Sequence, residues 1–192
     1  MAESLPRRVV VGITGASGIP YAKDLLETLR RAPDVEVHLV ATDGARRVAA
    51  DELGTTLEEL AALADVVHPN KDIGAAIASG SFRTLGMVVV PCSATTLSKV
   101  AYGVCDNLVT RAAYVHLKER RPLVLVPREA PLPLPSLEAM VKAAQAGATI
   151  LPASPGFYTR PQSIADLLGF VSQRVLDLLG IDVDRAPRWK EA

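Results

Sequence analysis

Two short stretches carry residue types suited to holding an anion. Thr14-Gly-Ala-Ser-Gly18 follows an apolar run and precedes a helical one. Small residues at a strand-to-helix turn let backbone N–H groups and a helix N-terminus approach a phosphate. Gly12, Gly15 and Gly18 do not make GxGxxG, and no lysine follows to complete a P-loop. A tight turn without a ligand is the alternative. The second stretch, Pro91-Cys-Ser-Ala-Thr-Thr-Leu-Ser98, places four hydroxyls within six residues, at Ser93, Thr95, Thr96 and Ser98. That density suits a polar ligand; helix capping by Ser93 or Thr95 is the alternative. Further on, Arg111, Tyr114 and Lys118 fall at i, i+3 and i+7 and share one helix face. Arg128-Glu129 follows another apolar run, Tyr158 lies in a Pro- and Gly-containing loop, and Arg174 sits in a late helical segment. Such cations suit an anionic substrate, although a solvated surface looks the same. Cys92 has no obvious histidine or acid paired with it and reads as a small buried residue. His38, His68 and His116 lack ligand spacing, so no metal site is expected.

The scaffold for these residues is legible as alternating apolar runs and amphipathic segments. Residues 8–13, 35–41, 86–91 and 123–126 read as strands, with shorter ones at 65–68 and 149–151. Ala22, Leu25, Leu26 and Leu29 form one helix face, with Pro20 acceptable in the first turn. Further helices are expected over 45–53, from a cap at Asp106 to about 118, from a cap at Ser136 to Gly147, and over 163–179. Six strands alternating with helices imply an α/β, doubly wound, mostly parallel sheet, read as one domain over 1–192. Ligands of such sheets sit outside the carboxyl ends of the strands. That rule gathers Gly15–Gly18, Thr42, the loop after Pro91 and Arg128-Glu129 into one region.

Composition narrows the function classes. The chain has 192 residues, 49% hydrophobic and 22% charged, which excludes a disordered chain. Lys+Arg and Asp+Glu are 21 each, so no basic excess exists for non-specific nucleic-acid binding or an anionic membrane. Two cysteines are too few for a disulfide framework. No apolar run approaches the ~18 residues of a membrane span, and Met1 to Arg8 carries no signal-peptide stretch. A reduced, cytoplasmic protein is expected.

Nine segments recur together and in order. They are Thr14–Gly18, Pro91-Cys-Ser93 with Thr96-Leu-Ser98, Asn107–Ala113, Leu117–Leu123 and Pro127–Leu132, then Gly147–Ala153, Pro155–Tyr158, Arg160–Ser163 and Pro187-Arg-Trp189. In this the chain resembles the UbiX-like flavin prenyltransferase family over essentially its whole length. The resemblance implies a flavodoxin-like Rossmann fold and FMN. It implies transfer of a dimethylallyl group from its phosphate to reduced FMN without a metal, the product serving a UbiD-type decarboxylase. It also implies a homo-oligomer, as large as a dodecamer, with the site between subunits. By position, Gly15, Ala16, Ser17 and Thr42 contact FMN, and Ser93, Thr96 and Arg111 complete the flavin site. Lys118, Arg128, Tyr158 and Arg174 match the prenyl-phosphate ligands, and Trp189 matches the C-terminal aromatic near the site. Glu52 and Glu129 match two functional carboxylates, with Glu129 working beside Ser17 in the proton movements of ring closure. Two positions depart: Tyr114 stands where the family usually has Asp, and Ser136 where it has His.

Three other readings compete. An FMN-dependent cysteine-type decarboxylase would need a catalytic histidine in the early flavin region, and none lies between His38 and His68. A nicotinamide enzyme using Asp43 as ribose ligand would need a different glycine spacing. A flavin-delivery subunit of a decarboxylase would bind FMN without prenylating it.

Overall fold

The computed structural model describes residues 7–32 and 34–187. The chain runs β1 (Arg7–Ile13), α1 (Ile19–Leu29), β2 (Val35–Ala41), α2 (Asp43–Leu53), α3 (Leu57–Ala61) and β3 (Val66–His68). After a 3-10 turn at Ala76–Ala78 come β4 (Gly86–Cys92), α4 (Ala94–Ala101), α5 (Leu108–Lys118), β5 (Leu123–Pro127), α6 (Leu134–Gln145), β6 (Thr149–Ile150) and α7 (Ile164–Leu179). The six strands are ordered β3-β2-β1-β4-β5-β6, and every pairing is parallel. Without the three-residue β3 this is the flavodoxin-like order, with its switch point between β1 and β4.

Central strands of such a sheet are buried on both faces, so they lack polar alternation. Val9, Val11 and Ile13 turn to one face with Val88, Val90, Val124 and Val126, beneath α1, α2, α3 and α7. Val10, Met87, Val89, Leu123 and Leu125 turn to the other, beneath α4, α5 and α6. The two layers make the sheet a rigid plate whose carboxyl edge carries the loops of interest.

Several boundaries differ from the sequence reading. Helix α5 is capped by Asn107, whose side chain accepts from the Thr110 N–H at 3.1 Å. Asp106 instead pairs with Lys99 at 2.5 Å. Helix α6 begins at Leu134, and Ser136 is a buried first-turn residue rather than its cap. Helix α2 starts two residues earlier than expected, at Asp43. Helix α3, with five residues, is too short to show a period. The hydroxyl-rich stretch after β4 contains helix α4, and Ser93 does cap it, accepting from the Thr96 N–H at 3.3 Å.

Candidate functional site

At the switch point the loops after β1 and β4 are pinned together by Thr14, to which the sequence reading gives no role of its own within the Thr14–Gly18 segment. The buried Thr14 hydroxyl donates to the Pro91 carbonyl at 2.7 Å and accepts the Ser93 N–H at 2.8 Å. A threonine ending a buried strand, before a run of small residues, is the signal that could have found it. Its neighbour Gly15 meets α2 backbone to backbone: a Cβ on Gly15 would lie 2.9 Å from Gly44 Cα. Thr42 joins the same corner through its N–H, which donates to the Ile13 carbonyl at 2.9 Å. Gly15 and Ser17 are exposed at this edge, and Ala16 and Thr42 are half-buried.

Glu52 is placed by α2 against the start of α1. Its carboxylate accepts the Gly18 N–H at 2.9 and 3.1 Å and the Ile19 N–H at 2.9 Å. An anion at a helix N-terminus is favoured by the orphan N–H groups and the helix dipole. The anion here is the chain's own. The sequence offers this turn as a phosphate cradle or as a tight turn without a ligand; within the chain, the Gly18 and Ile19 N–H groups are held by Glu52. Helix α4 is different. The N–H groups of Ala94 and Thr95 make no hydrogen bond within the described residues, and Ser93 and Thr96 stand beside them with their hydroxyls 3.1 Å apart. Both turns keep backbone donors: among the described residues the Gly15 and Ser17 N–H groups after β1, like those of Ala94 and Thr95 after β4, make no hydrogen bond.

Arg128, just past β5, donates through Nε to the Ser17 carbonyl at 3.0 Å. Glu129 follows it, exposed. The chain leaving β6 is tied to the end of β5, the Ala153 N–H donating to the Pro127 carbonyl at 3.1 Å. Its loop carries Tyr158, whose ring stands edge-on to Phe170 of α7 at 5.7 Å. Arg174 is one turn beyond Phe170 and pairs with Asp177 at 3.0 Å. Gly15, Ala16, Ser17, Thr42, Glu52, Ser93, Thr96 and Arg128 therefore converge on the carboxyl edge, with Tyr158 on the α7 flank.

Lys118 does not join them. It ends α5, pairs with Glu119 at 3.0 Å, and lies near Gly80 at the amino edge of the sheet, where Arg121 donates to the Phe82 carbonyl at 2.6 Å. Arg111 sits seven residues earlier, about 10 Å along the helix at 1.5 Å per residue, near the end held by Asn70. The Asn70 carbonyl accepts the Leu108 N–H at 2.8 Å and its side chain the Val109 N–H at 3.2 Å. Tyr114 is exposed, with its ring against Gly103. Trp189 lies outside the described residues.

The remaining candidates are structural. Burial pushes the Cys92 thiol up to about 12, which leaves no thiolate for attack. His38 Nδ1 and His68 Nε2 bond each other at 2.9 Å, and His116 bonds Thr84 and the Ala112 carbonyl, each at 2.8 Å. Among the described residues no group of three His, Cys, Asp or Glu is placed to hold a metal ion, and no helix is long and apolar enough to cross a membrane.

Comparison with known proteins covers almost all of this frame. The Flavoprotein family matches residues 2–167. The flavin prenyltransferase UbiX of Deinococcus radiodurans is 58% identical over 190 residues, which is 99% of this chain and 97% of that one. The crystal structure of AnUbiX (PadA1) in complex with FMN and dimethylallyl pyrophosphate superimposes with a TM-score of 0.94 at 44% identity, covering 98% of this chain and 100% of that one. A dodecameric FMN-dependent UbiX-like decarboxylase from Escherichia coli O157:H7 gives 0.92 at 45% identity, covering 95% and 99%.

Proposed function

The chain belongs to the Flavoprotein family and within it to the UbiX-like flavin prenyltransferases, and from that premise we propose how its residues divide the work. The observation that carries the reading is the match, over nearly the whole chain, to a structure holding both FMN and dimethylallyl pyrophosphate. The residues present fit a flavin phosphate. The free N–H groups of Ala94 and Thr95, with Ser93 and Thr96, supply neutral donors at a helix N-terminus. Gly15, Ala16, Ser17, Thr42 and Arg111 complete the FMN contacts. When bound and reduced, FMN supplies the nucleophilic ring nitrogen that accepts the dimethylallyl group.

The chain's own residues then act on the leaving phosphate and on protons. Ionisation of an allylic phosphate puts negative charge on the departing group, and fixed cations stabilise that charge most in the transition state. Arg128, Lys118 and Arg174 supply it with Tyr158, so no metal is required. The Glu129 carboxylate, exposed next to Arg128, takes up the proton released at ring closure, with Ser17 beside it. Glu52 sets the loop that presents Ser17. Because Lys118 stands at the opposite edge of the sheet from Arg128, its part is played in the site of a neighbouring copy, within a homo-oligomer as large as a dodecamer. The prenylated flavin passes to a UbiD-type decarboxylase, and the protein works in the cytoplasm. Neither a cysteine-type decarboxylase nor a passive flavin carrier is favoured.

The test is anaerobic incubation with reduced FMN and dimethylallyl mono- or diphosphate, without added metal, followed by mass spectrometry of the extracted flavin. Prenylated FMN is expected. Unmodified FMN with both donors would overturn the reading.

A further inference from the structure

Helix α1 points its N-terminus at the site yet has no backbone donor left for a ligand. The N–H groups of Gly18 and Ile19 are taken by Glu52, Pro20 has none, and the Tyr21 N–H is held by the Gly18 carbonyl at 3.1 Å. From the first turn of the helix itself, a phosphate here meets side chains only. Two are placed to do so. Side chains in a helix lean toward its N-terminus, and the Tyr21 ring accordingly leans over Gly18. A Cβ on Gly18 would lie 3.3 Å from Tyr21 Cδ2 and 3.5 Å from Arg128 Cγ, and at φ +116° that position suits glycine alone. Tyr21 and Arg128 thus close on one point of the loop. Partial burial pushes the Tyr21 phenol up, while the Arg128 charge faces it closely enough to pull it back down. Among the described residues the Tyr21 hydroxyl has no hydrogen-bond partner, nor have the two terminal nitrogens of Arg128.

We propose that the Tyr21 hydroxyl is a further substrate-binding donor, which together with the Arg128 guanidinium holds the phosphate of the prenyl substrate. This rests on the reading of Arg128 given above. The FMN phosphate has the same chemistry, but its donors at the start of α4 lie over the other face of the sheet, whereas Tyr21 and Arg128 share the α1 and α7 flank with Tyr158 and Arg174. A phenol stays a neutral donor whether the phosphate is a mono- or a dianion, and its bond strengthens as charge builds on the leaving group.

Tyr21→Phe removes the hydroxyl and keeps the ring. With reduced FMN and dimethylallyl monophosphate, kcat/KM is expected to fall about tenfold, the scale for one hydrogen bond to a charged group, while the Kd for FMN stays within about twofold. Arg128→Met is the companion variant and is expected to lose at least as much. If Arg128→Met loses kcat/KM and Tyr21→Phe stays within about twofold of the parent, the Tyr21 inference is wrong and the Arg128 reading stands. If neither variant loses kcat/KM, the Arg128 reading fails and this one with it. If Tyr21→Phe weakens FMN binding instead, the assignment to the prenyl phosphate is overturned.

Discussion

Glu52→Gln separates holding the α1 loop from taking part in chemistry. The side chain keeps its shape, but one of the two oxygens that receive the Gly18 and Ile19 N–H groups becomes an NH₂ facing a donor. Each hydrogen bond to a charged acceptor is worth ~1.5–3 kcal/mol, and a carboxylate at a helix N-terminus adds ~0.3–1 kcal/mol. Glu52 is open to solvent, so water replaces part of what is lost and the lower end applies, about 1.5 kcal/mol. For a chain of this size ~1 kcal/mol moves Tm by roughly 2–4 °C, so the ligand-free variant should melt about 4 °C lower. Thermal melts at neutral pH measure this, with a urea series to confirm that the slope is unchanged. FMN affinity should fall with stability, because the loop that carries Ser17 is loosened. A variant that melts within about 1 °C of the parent yet loses activity would show that the loop-anchoring argument is wrong.

Glu129→Gln should retain FMN while slowing prenylation ~10²–10⁴-fold, and a single-turnover rate within about twofold of the parent would remove Glu129 from the proton transfer. Gly15→Ala brings a methyl group against the Gly44 backbone, an overpacking that costs ~1–3 kcal/mol; a fluorescence titration should show weaker FMN binding, and unchanged binding would mean that the loop yields freely. Burial holds the His116 imidazole down to about 4, below its unfolded value of ~6.5. Between those values the unfolded chain binds the extra proton, so this stabilisation is complete above pH ~6.5 and is lost as pH falls toward ~4. His116→Gln should therefore flatten the fall in stability across that window by about 3 kcal/mol, and parallel urea midpoints for parent and variant from pH 7 to 4.5 would refute it.

The chain's family and the plan of its sheet are written in local features. β1, β4 and β5 show themselves by their Val-rich apolar stretches, Val9–Val11, Met87–Val90 and Leu123–Val126, because both faces of each are covered, and the ordered motifs identify the family without any geometry. The turns after β1 and β4 are legible as well, because small and hydroxyl residues at strand ends mark a strand-to-helix turn whether they cap the helix or meet a ligand. What sequence could not decide is which groups these turns meet. Only folding brings Glu52, 34 residues further along, onto the Gly18 N–H, so that the start of α1 is capped from within the chain. Only the third dimension sets Tyr21 beside Arg128, or sends Lys118 to the far edge of the sheet although it shares a helix face with Arg111. Ser136 shows the same limit at a helix start. A serine there reads as a cap, but the turn begins two residues earlier and rotates it into the interior. Periodicity and turn chemistry depend on neighbours a few residues apart, and so survive in one dimension. The direction in which a polar side chain points, and whether its donors are already spent, depends on distant segments packed against it, and the tertiary structure alone decides that.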